Sequence, residues 1–228
     1  MTTKVLLFSG GLDSYITSKI WMPDILLYCA LGHKYQNAEI KNIEKTGLNV
    51  VIDTRLFLGD KEMDNAIIPL RNLMMINIAS YYGESIGLGV LRDEINPDKS
   101  LQFREQATAI LNTCYAKSYW SAGTEYKVVY PIIQYDKAQL IEYFINHVGT
   151  KQELINNTRS CYQQTKKHCG HCSACIKRYV AMRLNNITED YENDPHSSPY
   201  LNEMRRRLSS FSETRYKQVV SVFPELLC

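Results

Sequence analysis

Short apolar runs alternate with longer amphipathic stretches, and this alternation limits the folds open to the chain more than any other feature. The apolar runs, rich in Val, Ile and Leu, lie at 4–8, 25–31, 49–52, 86–90 and 127–130. Stretches with helical periodicity separate or follow them at 14–21, 38–46, 64–84, 101–118 and 137–148. Strands that alternate with helices form βαβ units in a parallel sheet. The sequence therefore predicts an α/β fold with a doubly wound, parallel, five-stranded sheet.

The character of the sequence changes near residue 150. Polar residues lead into a cysteine cluster, a helix predicted over 173–184, a break at 194–199 and an amphipathic stretch at 201–222. We therefore expect an α/β domain over 1–150, a cysteine-containing segment over 151–200 and a C-terminal helical extension over 201–228. The last stretch is interpreted as a helix that packs on the body or on a second subunit, with Arg205, Arg206 and Arg207 on a solvated face.

Charge and composition exclude several classes of protein. The 228 residues include 26 Lys and Arg against 24 Asp and Glu, a net charge of +2 that gives no global field for nucleic acid or an anionic membrane. No apolar run approaches the roughly 18 residues of a membrane span, and the first residues lack the features of a signal peptide. The seven cysteines are odd in number and unevenly spread, unlike a secreted disulfide framework. We expect a cytoplasmic protein without membrane or nucleic-acid partners.

The segment after the first predicted strand carries the strongest chemical signal. It reads Ser-Gly-Gly-Leu-Asp-Ser over residues 9–14, directly before a predicted helix. The glycine pair allows a tight turn that brings backbone N–H groups near an anion, and the positive end of the helix dipole points to the same place. Asp13 can hold Mg2+ or cap the helix, while Ser9 and Ser14 add hydroxyl donors. The segment lacks a Walker A ending and is similar to the SGGxDS pyrophosphate loop of ATP pyrophosphatases.

This similarity implies that the loop binds ATP. The nucleotide-binding residues assigned on this basis are Phe8, Ser9, Gly10, Gly11, Leu12, Asp13 and Ser14. A glycine turn with a serine cap, which any α/β protein can contain, is the alternative interpretation.

Four cysteines predict a metal site in the C-terminal part. Cys161, Cys169, Cys172 and Cys175 have the spacing Cys-x7-Cys-x2-Cys-x2-Cys. Four thiolates suit a tetrahedral Zn2+, and a site with all four positions filled by protein is structural rather than catalytic. An iron–sulfur cluster is the chemical alternative.

Further segments extend the resemblance beyond the loop. The chain has Pro-Leu-Arg-Asn at 69–72, Gly-Val-Leu-Arg-Asp at 89–93, Ser-Cys-Tyr at 160–162 and Cys-Gly-His-Cys-Ser-Ala-Cys at 169–175, followed by Arg178. In this order the segments resemble the 7-cyano-7-deazaguanine synthase (QueC) family, from residue 4 to about residue 200. The resemblance implies a homodimer that uses ATP, Mg2+ and Zn2+.

The resemblance also implies a reaction and roles for particular residues. The carboxylate of 7-carboxy-7-deazaguanine is adenylated by ATP, ammonia displaces AMP to form an amide, and a second ATP drives the amide to the nitrile. By this resemblance the catalytic residues are Ser9, Asp13, Ser14, Arg71 and Lys137. The residues expected to bind the deazaguanine substrate are Arg71, Asn72, Asp93 and Asp98.

Two loops depart from the family and leave alternatives open. Where the family has Tyr-Pro-Asp-Cys-Arg, residues 96–100 read Asn-Pro-Asp-Lys-Ser, which removes an aromatic face and a cation, although Lys99 can partly replace the charge. Where the family has Tyr-Gly-Gln-Arg-His, residues 31–35 read Leu-Gly-His-Lys-Tyr, and both loops are expected at the carboxyl ends of the strands, where base and ATP meet. The product could therefore be the amide alone, or the acceptor a carboxylate on RNA or protein. A non-catalytic, zinc-stapled module that keeps ATP as a ligand is a third hypothesis, against which the intact loop at 9–14 argues.

Overall fold

Five parallel strands form the centre of the molecule, as the alternating pattern predicts. The computed structural model describes residues 2–64, 67–94 and 96–227. Within them the sheet has the strand order β3-β2-β1-β4-β5, and every neighbouring pair is parallel. The strands are β1 (Lys4–Leu7), β2 (Ile25–Cys29), β3 (Val50–Asp53), β4 (Ser85–Gly87) and β5 (Lys127–Val129). The predicted α/β fold with a parallel five-stranded sheet is confirmed.

The helices of the described residues connect the strands and then form the C-terminal part. They are α1 (Leu12–Trp21), α2 (Gln36–Thr46), α3 (Arg71–Ala79), α4 (Leu101–Cys114), α5 (Lys137–His147), α6 (Lys151–Asn157), α7 (Ser173–Leu184), α8 (Tyr200–Arg206) and α9 (Glu213–Val222). A capping box fixes the start of α5, because the Asp136 side chain accepts from the Gln139 N–H and the Gln139 side chain accepts from the Asp136 N–H. None of the described helices is long and apolar enough to cross a membrane.

The two faces of the sheet are covered by different helices. Side chains alternate between the faces along a strand, so Val5 and Leu6 of β1 enter separate clusters. Leu6 packs with residues of α1, α5, α6 and α7, among them Phe144, whereas Val5 packs with residues of α3 and α4, among them Leu111. A third cluster joins α7 to α8 and α9, with Phe223 fully buried.

The sheet places a crevice beside the first loop. From β1 the chain goes outward to β2 and β3, and it later returns to the other side of β1 to form β4 and β5. The strand order therefore reverses at β1, so the segments that follow β1 and β4 separate at the carboxyl edge of the sheet. Ligands of open parallel sheets bind in such a crevice.

The helix predicted over 64–84 is much shorter in the structure. Helix α3 covers only Arg71–Ala79, and residues 65 and 66 of the predicted helix lie outside the described residues. Leu70 adopts a left-handed conformation with φ 60, which a continuous right-handed helix cannot contain. Pro69 also disfavours helical backbone at the residue before it. The prediction was wrong because it followed apolar periodicity through these two residues.

The predicted helix over 201–222 is also wrong as a single element. The structure forms α8 and α9 instead, separated by a 3-10 turn at Leu208–Ser210. The Ser212 side chain accepts from the Arg215 N–H and thereby caps a new helix. Two other boundaries differ: α4 ends at Cys114 rather than at 118, and α6 lies where only polar residues were noted. The division of the chain near residue 150 stays a prediction.

Candidate active site and metal centre

The loop between β1 and α1 makes a tight turn beside a cavity. Gly10 has φ +68, and a Cβ at this position would lie 2.8 Å from the Asn42 Nδ2 atom. Asn42 itself donates to the Gly10 carbonyl at 2.5 Å, so this close approach is part of the loop structure. Helix α1 begins without a side-chain cap at Gly11, which leaves its first N–H groups and the positive end of its dipole available to an anion.

Most of the predicted nucleotide-binding residues line one cavity of about 320 Å3, which we call the loop cavity. Ser9, Gly11, Asp13 and Ser14 form its floor, and the Ser14 hydroxyl donates to the Gly11 carbonyl at 3.1 Å. Phe8 and Leu12 reach the cavity from the core, where both are almost fully buried. Gly10 does not line the cavity. Its positive φ allows the tight turn of the loop.

A lysine from a distant helix binds the loop. Lys137, the first residue of α5, donates through Nζ to both carboxylate oxygens of Asp13, at 2.6 and 2.5 Å. The two side chains are each 22% exposed, so both can be reached from the cavity. Two residues 124 positions apart in the sequence thus meet beside the loop, where a nucleotide phosphate would need both a cation and a Mg2+ ligand.

The start of α3 forms the opposite wall. Arg71 and Asn72 line the loop cavity, and Arg71 Nη1 donates to the Tyr35 hydroxyl at 3.3 Å. Asn72 Nδ2 donates to the Asp98 carboxylate at 2.7 Å, which places Asp98 behind this wall rather than on its surface. Asp93 lines a neighbouring cavity and is absent from this one. Arg71 and Asn72 therefore line the loop cavity. Asp98 does not line this cavity but contacts the lining residue Asn72, and Asp93 lines only the neighbouring cavity.

The four predicted metal ligands form a compact cluster. The sulfur atoms of Cys161, Cys169, Cys172 and Cys175 all lie within 4.8 Å of one another. Cys169 Sγ and Cys175 Sγ are 3.8 Å apart, close to the spacing of about 3.8 Å expected along the edge of a ZnS4 tetrahedron with Zn–S bonds of about 2.3 Å. The geometry and the four-sulfur donor set fit a zinc ion.

Backbone groups around the cluster support charged sulfur ligands. N–H groups of Gln163 and Cys169 point at Cys161 Sγ, each at 3.3 Å. The chain turns at Gly170, directly after Cys169. Gly170 has a φ of +78, and the Asn193 carbonyl lies so close that there is no room for a side chain. These donors stabilise thiolates, which are the form that a metal binds.

Comparison with known proteins decides the family. The family model described as "Queuosine biosynthesis protein QueC" matches residues 38–186. The chain belongs to the QueC family. The match includes Arg71, Lys137 and all four cysteines, whereas the loop at 9–14 precedes it and α8 and α9 follow it.

Curated relatives of this QueC chain carry one name. It is 25% identical over 225 residues to 7-cyano-7-deazaguanine synthase 2 of Sulfurisphaera tokodaii, an alignment that covers 83% of the chain and 48% of the relative. It is 23% identical to the 7-cyano-7-deazaguanine synthase of Marinobacter nauticus, with 81% and 94% covered. The Campylobacter curvus synthase is 30% identical over 157 residues, with 64% and 66% covered. The chain thus spans about half the length of the Sulfurisphaera relative and nearly all of the Marinobacter one.

The QueC chain also has an aromatic wall, whose residues were not predicted individually although the loop at 31–35 was expected at this edge of the sheet. The Tyr35 and Tyr162 rings lie 4.9 Å apart between centroids, and His33 packs on the other side of Tyr35 at 4.2 Å. All three residues line the loop cavity. Burial raises the pKa of Tyr162 to about 12, so its hydroxyl is a neutral donor at physiological pH. Tyr162 was within the Ser-Cys-Tyr segment, but its partners come from a separate loop.

A group of charged residues also lines the cavity, and of these only Lys99 was considered from the sequence. Lys99 Nζ donates to the Glu94 carboxylate at 2.7 Å, and both residues line the cavity with Lys177. Burial opposes ionisation of Glu94, but the positive charges of Lys99 and Lys137 outweigh it and hold the pKa of Glu94 below its usual value. No local motif marks these residues, because they come from the segment after β4 and from α7.

Proposed function

We propose that this chain uses ATP to convert 7-carboxy-7-deazaguanine and ammonia into the amide, and then converts the amide into 7-cyano-7-deazaguanine. The printed name of the curated relatives supports the product. The single observation that carries the ATP chemistry is the loop cavity, in which a glycine turn, a helix N-terminus and the Asp13–Lys137 pair converge. Queuosine biosynthesis is the process to which the family description assigns such proteins.

The proposed reaction has two adenylations. In the first, a carboxylate oxygen of the substrate attacks the α-phosphorus of ATP and pyrophosphate leaves. Ammonia then attacks the acyl carbon, loses a proton and displaces AMP, which keeps the bridging oxygen. In the second adenylation the amide oxygen attacks another ATP, and loss of AMP and protons leaves the nitrile. ATP supplies both leaving groups, so the protein needs no nucleophilic side chain.

The proposed task of the loop cavity is to bind phosphate charge. N–H groups of residues 9–14 and the hydroxyls of Ser9 and Ser14 would hold the departing pyrophosphate. Asp13 fits a Mg2+ ion, because its carboxylate lies beside the turn and Mg2+ usually takes one or two carboxylates together with substrate phosphates. Lys137 is then free to turn from Asp13 to a phosphate, and the planar fork of Arg71 suits a phosphate or the substrate carboxylate.

The aromatic wall is the proposed binding surface for the deazaguanine ring. The Tyr35 and Tyr162 rings, tilted by 34° to each other, offer aromatic faces near the Arg71 guanidinium, which donates to the Tyr35 hydroxyl. Residues 96–100 lack the aromatic face of the family pattern, and here the proposed aromatic face comes from other segments, while Lys99 keeps a cation in the cavity lining. Asp98 keeps Asn72 in place through its hydrogen bond, so its proposed contribution to base recognition is to orient that amide.

Zinc is the proposed metal of the cysteine cluster, with a structural task. All four positions of a tetrahedral ion would be filled by sulfur, so no position stays open for water or substrate. The cluster lies directly before α7, whose first turn contains Cys175 and which carries Lys177 to the loop cavity. A bound ion would therefore fix the orientation of α7 against the α/β body.

One observation favours a second candidate, in which the product is the amide alone. Residues 96–100 differ from the family pattern and stand next to Asn72 and Glu94 on the wall of the loop cavity. A changed wall can bind the carboxylate well and the amide poorly, and the second adenylation would then not occur. RNA and protein carboxylates are other acceptors of the same adenylate chemistry, but no structural feature favours them.

Mass spectrometry of one reaction mixture tests the proposal. The mixture contains 7-carboxy-7-deazaguanine, ATP, Mg2+ and ammonium, and both the base and AMP are followed. We expect the nitrile, with AMP formed only when the base is present. Accumulation of amide would favour the second candidate. Absence of both AMP and product would contradict the deazaguanine assignment.

The resemblance also leads us to propose a cytoplasmic homodimer. Light scattering coupled to size-exclusion chromatography measures the molar mass in solution directly. A mass of about twice the 26.3 kDa of one chain is expected. A mass of one chain at all concentrations would contradict the dimer and would leave the proposed chemistry untouched, because the described loop cavity is built by a single chain.

A further inference from the structure

A second cavity of about 250 Å3 lies between the C-terminal helices and the α/β body. We call it the C-terminal compartment. Arg215 and Gln218 line it from α9, and Asp93 lines it from the segment after β4. Glu94, Lys137 and Lys177 line both this compartment and the loop cavity. The two cavities therefore adjoin, and Lys137, which binds the loop residue Asp13, stands at the boundary.

Packing fixes the helix that closes this compartment. Val219 and Phe223, at the end of α9, are buried against α7 and α8. On the compartment side, Gln218 Nε2 donates to the Asp136 carboxylate at 3.2 Å, which ties α9 to the cap of α5. These contacts hold Arg215, one turn earlier on the same helix, in the wall of the compartment.

Most acidic side chains that line the compartment already have hydrogen-bonded partners. Glu94 accepts from Lys99 at 2.7 Å. Asp136 accepts from Arg92 at 3.2 Å and from the Gln139 N–H at 2.9 Å. The direct hydrogen bonds of these two carboxylates therefore go to residues other than Lys177 and Arg215.

Two cations of the wall have no such partner. Within the described part of the chain, neither the Lys177 ammonium nor the Arg215 guanidinium forms an ion pair or a hydrogen bond, and Arg215 lies over the Phe211 ring at 4.5 Å. Asp93 likewise has no hydrogen-bonded partner among those residues, so the wall contains two cations without a direct acidic partner against one such carboxylate.

We propose that the C-terminal compartment binds inorganic pyrophosphate after it leaves the loop, with Lys177 and Arg215 as the binding cations. This inference rests on the proposed function, which releases pyrophosphate beside Lys137. A multiply charged phosphate anion matches two cations that have no direct acidic partner in the wall, and a guanidinium binds phosphate oxygens in bidentate fashion. The pyrophosphate would pass from the loop to Lys137 and then to the other two cations. Lys177 lies within the family match, whereas Arg215 on α9 lies beyond it, so one of the two cations comes from a part of the chain that the family model does not describe.

Isothermal titration of the full-length protein with pyrophosphate and Mg2+ tests this site. The loop is first filled with α,β-methylene ATP, which cannot be cleaved to AMP, so that pyrophosphate reports on the compartment alone. Arg215→Gln is compared with Lys217→Gln, a loss of the same charge on the same helix at a side chain that is 70% exposed and outside the compartment. Loss of one charge-assisted hydrogen bond predicts about tenfold weaker pyrophosphate binding for Arg215→Gln.

The possible outcomes distinguish a failure of the proposed pyrophosphate site from a failure of the proposed reaction. Weaker binding in Arg215→Gln, recovery in Arg215→Lys and no change in Lys217→Gln support the compartment. Equal binding in Arg215→Gln and Lys217→Gln, or no pyrophosphate binding once the nucleotide is present, overturns it. Thermal unfolding verifies that each variant is folded, and Lys177→Gln, with the same expected tenfold loss, replaces Arg215→Gln if that variant unfolds. Failure of the nucleotide itself to bind would contradict the proposed function instead.

Discussion

At the scale of single residues, Asp13 links the loop to the rest of the cavity. Both of its oxygens contact Lys137, and its carboxylate is the proposed Mg2+ ligand. We expect Asp13→Asn to lower base-dependent AMP formation by about 100-fold or more, because charge stabilisation of the departing pyrophosphate is lost. Chromatographic measurement of AMP verifies this. Asp24→Asn, at an exposed carboxylate bonded to the Lys4 N–H, is the matched control. Equal AMP rates in all three proteins would contradict the enzymatic account.

The lowered pKa of another carboxylate, that of Asp53, predicts how the stability of the folded chain depends on pH. Asp53, at the end of β3, accepts from the Arg55 side chain and from the Tyr82 hydroxyl, and above all the Arg55 bonds lower its pKa from 3.8 to about 2. A lowered pKa stabilises the folded state above pH 4, and this stabilisation is lost as the pH falls through 2. The urea midpoint of wild type should exceed that of Asp53→Asn at pH 6, and the difference should shrink toward pH 2. A constant difference would contradict the assignment.

At the scale of elements, substitutions at two glycines distinguish the cost of a positive φ from the cost of a steric clash. Gly10 and Gly47 have nearly equal φ values of +68 and +65, but a Cβ at Gly10 would meet Asn42 and Ile43, whereas one at Gly47 would meet nothing within 4 Å. Gly47→Ala should cost about 1 kcal/mol of unfolding free energy through strain alone. Gly10→Ala should cost about 2 kcal/mol or more and weaken ATP binding, because the turn must shift. Urea unfolding and nucleotide titration measure both effects, and similar losses in the two variants would contradict the described turn.

Helix boundaries were predictable wherever local chemistry marks them. The prediction placed the start of α5 at 137, and it placed both ends of α7 at the observed residues, Ser173 and Leu184. Apolar periodicity failed where a short local signal overrides it, at Leu70 with its left-handed backbone and at Ser212 with its new cap. Both signals extend over one or two residues, so a pattern averaged over several helical turns does not detect them.

At the scale of the whole molecule, the candidate site was partly predictable because some of its residues carry a motif. The loop at 9–14, Arg71 and the four cysteines stand in recognisable segments, and the structure places the first two in one cavity. Tyr35 and Glu94 join the same cavity because the doubly wound topology brings the ends of separate βα units together, and Lys177 reaches it from α7 in the C-terminal part. No spacing within the sequence encodes such a meeting, and for the same reason the C-terminal compartment was not anticipated.

Metal binding at the cysteine cluster is expected to stabilise the folded state of the whole chain. Purified protein should contain about one zinc per chain and show no visible absorption band. Cys175→Ser should lose the metal and lower the thermal midpoint by about 10 °C, because metal binding contributes folding energy. Cys114→Ser, at an exposed cysteine outside the cluster, is the control and should keep the metal. Elemental analysis and calorimetry measure these quantities. A brown protein that contains iron and sulfide would contradict zinc.

In the proposed reaction a substrate oxygen becomes bonded to the α-phosphorus of ATP, and isotope transfer can follow this oxygen. The substrate is 7-carboxy-7-deazaguanine with 18O in both carboxylate oxygens, and the AMP is analysed by mass spectrometry. The account predicts two AMP for each nitrile, each AMP with one 18O, because each adenylation removes one substrate oxygen. Product formed with unlabelled AMP, or without AMP, would contradict it.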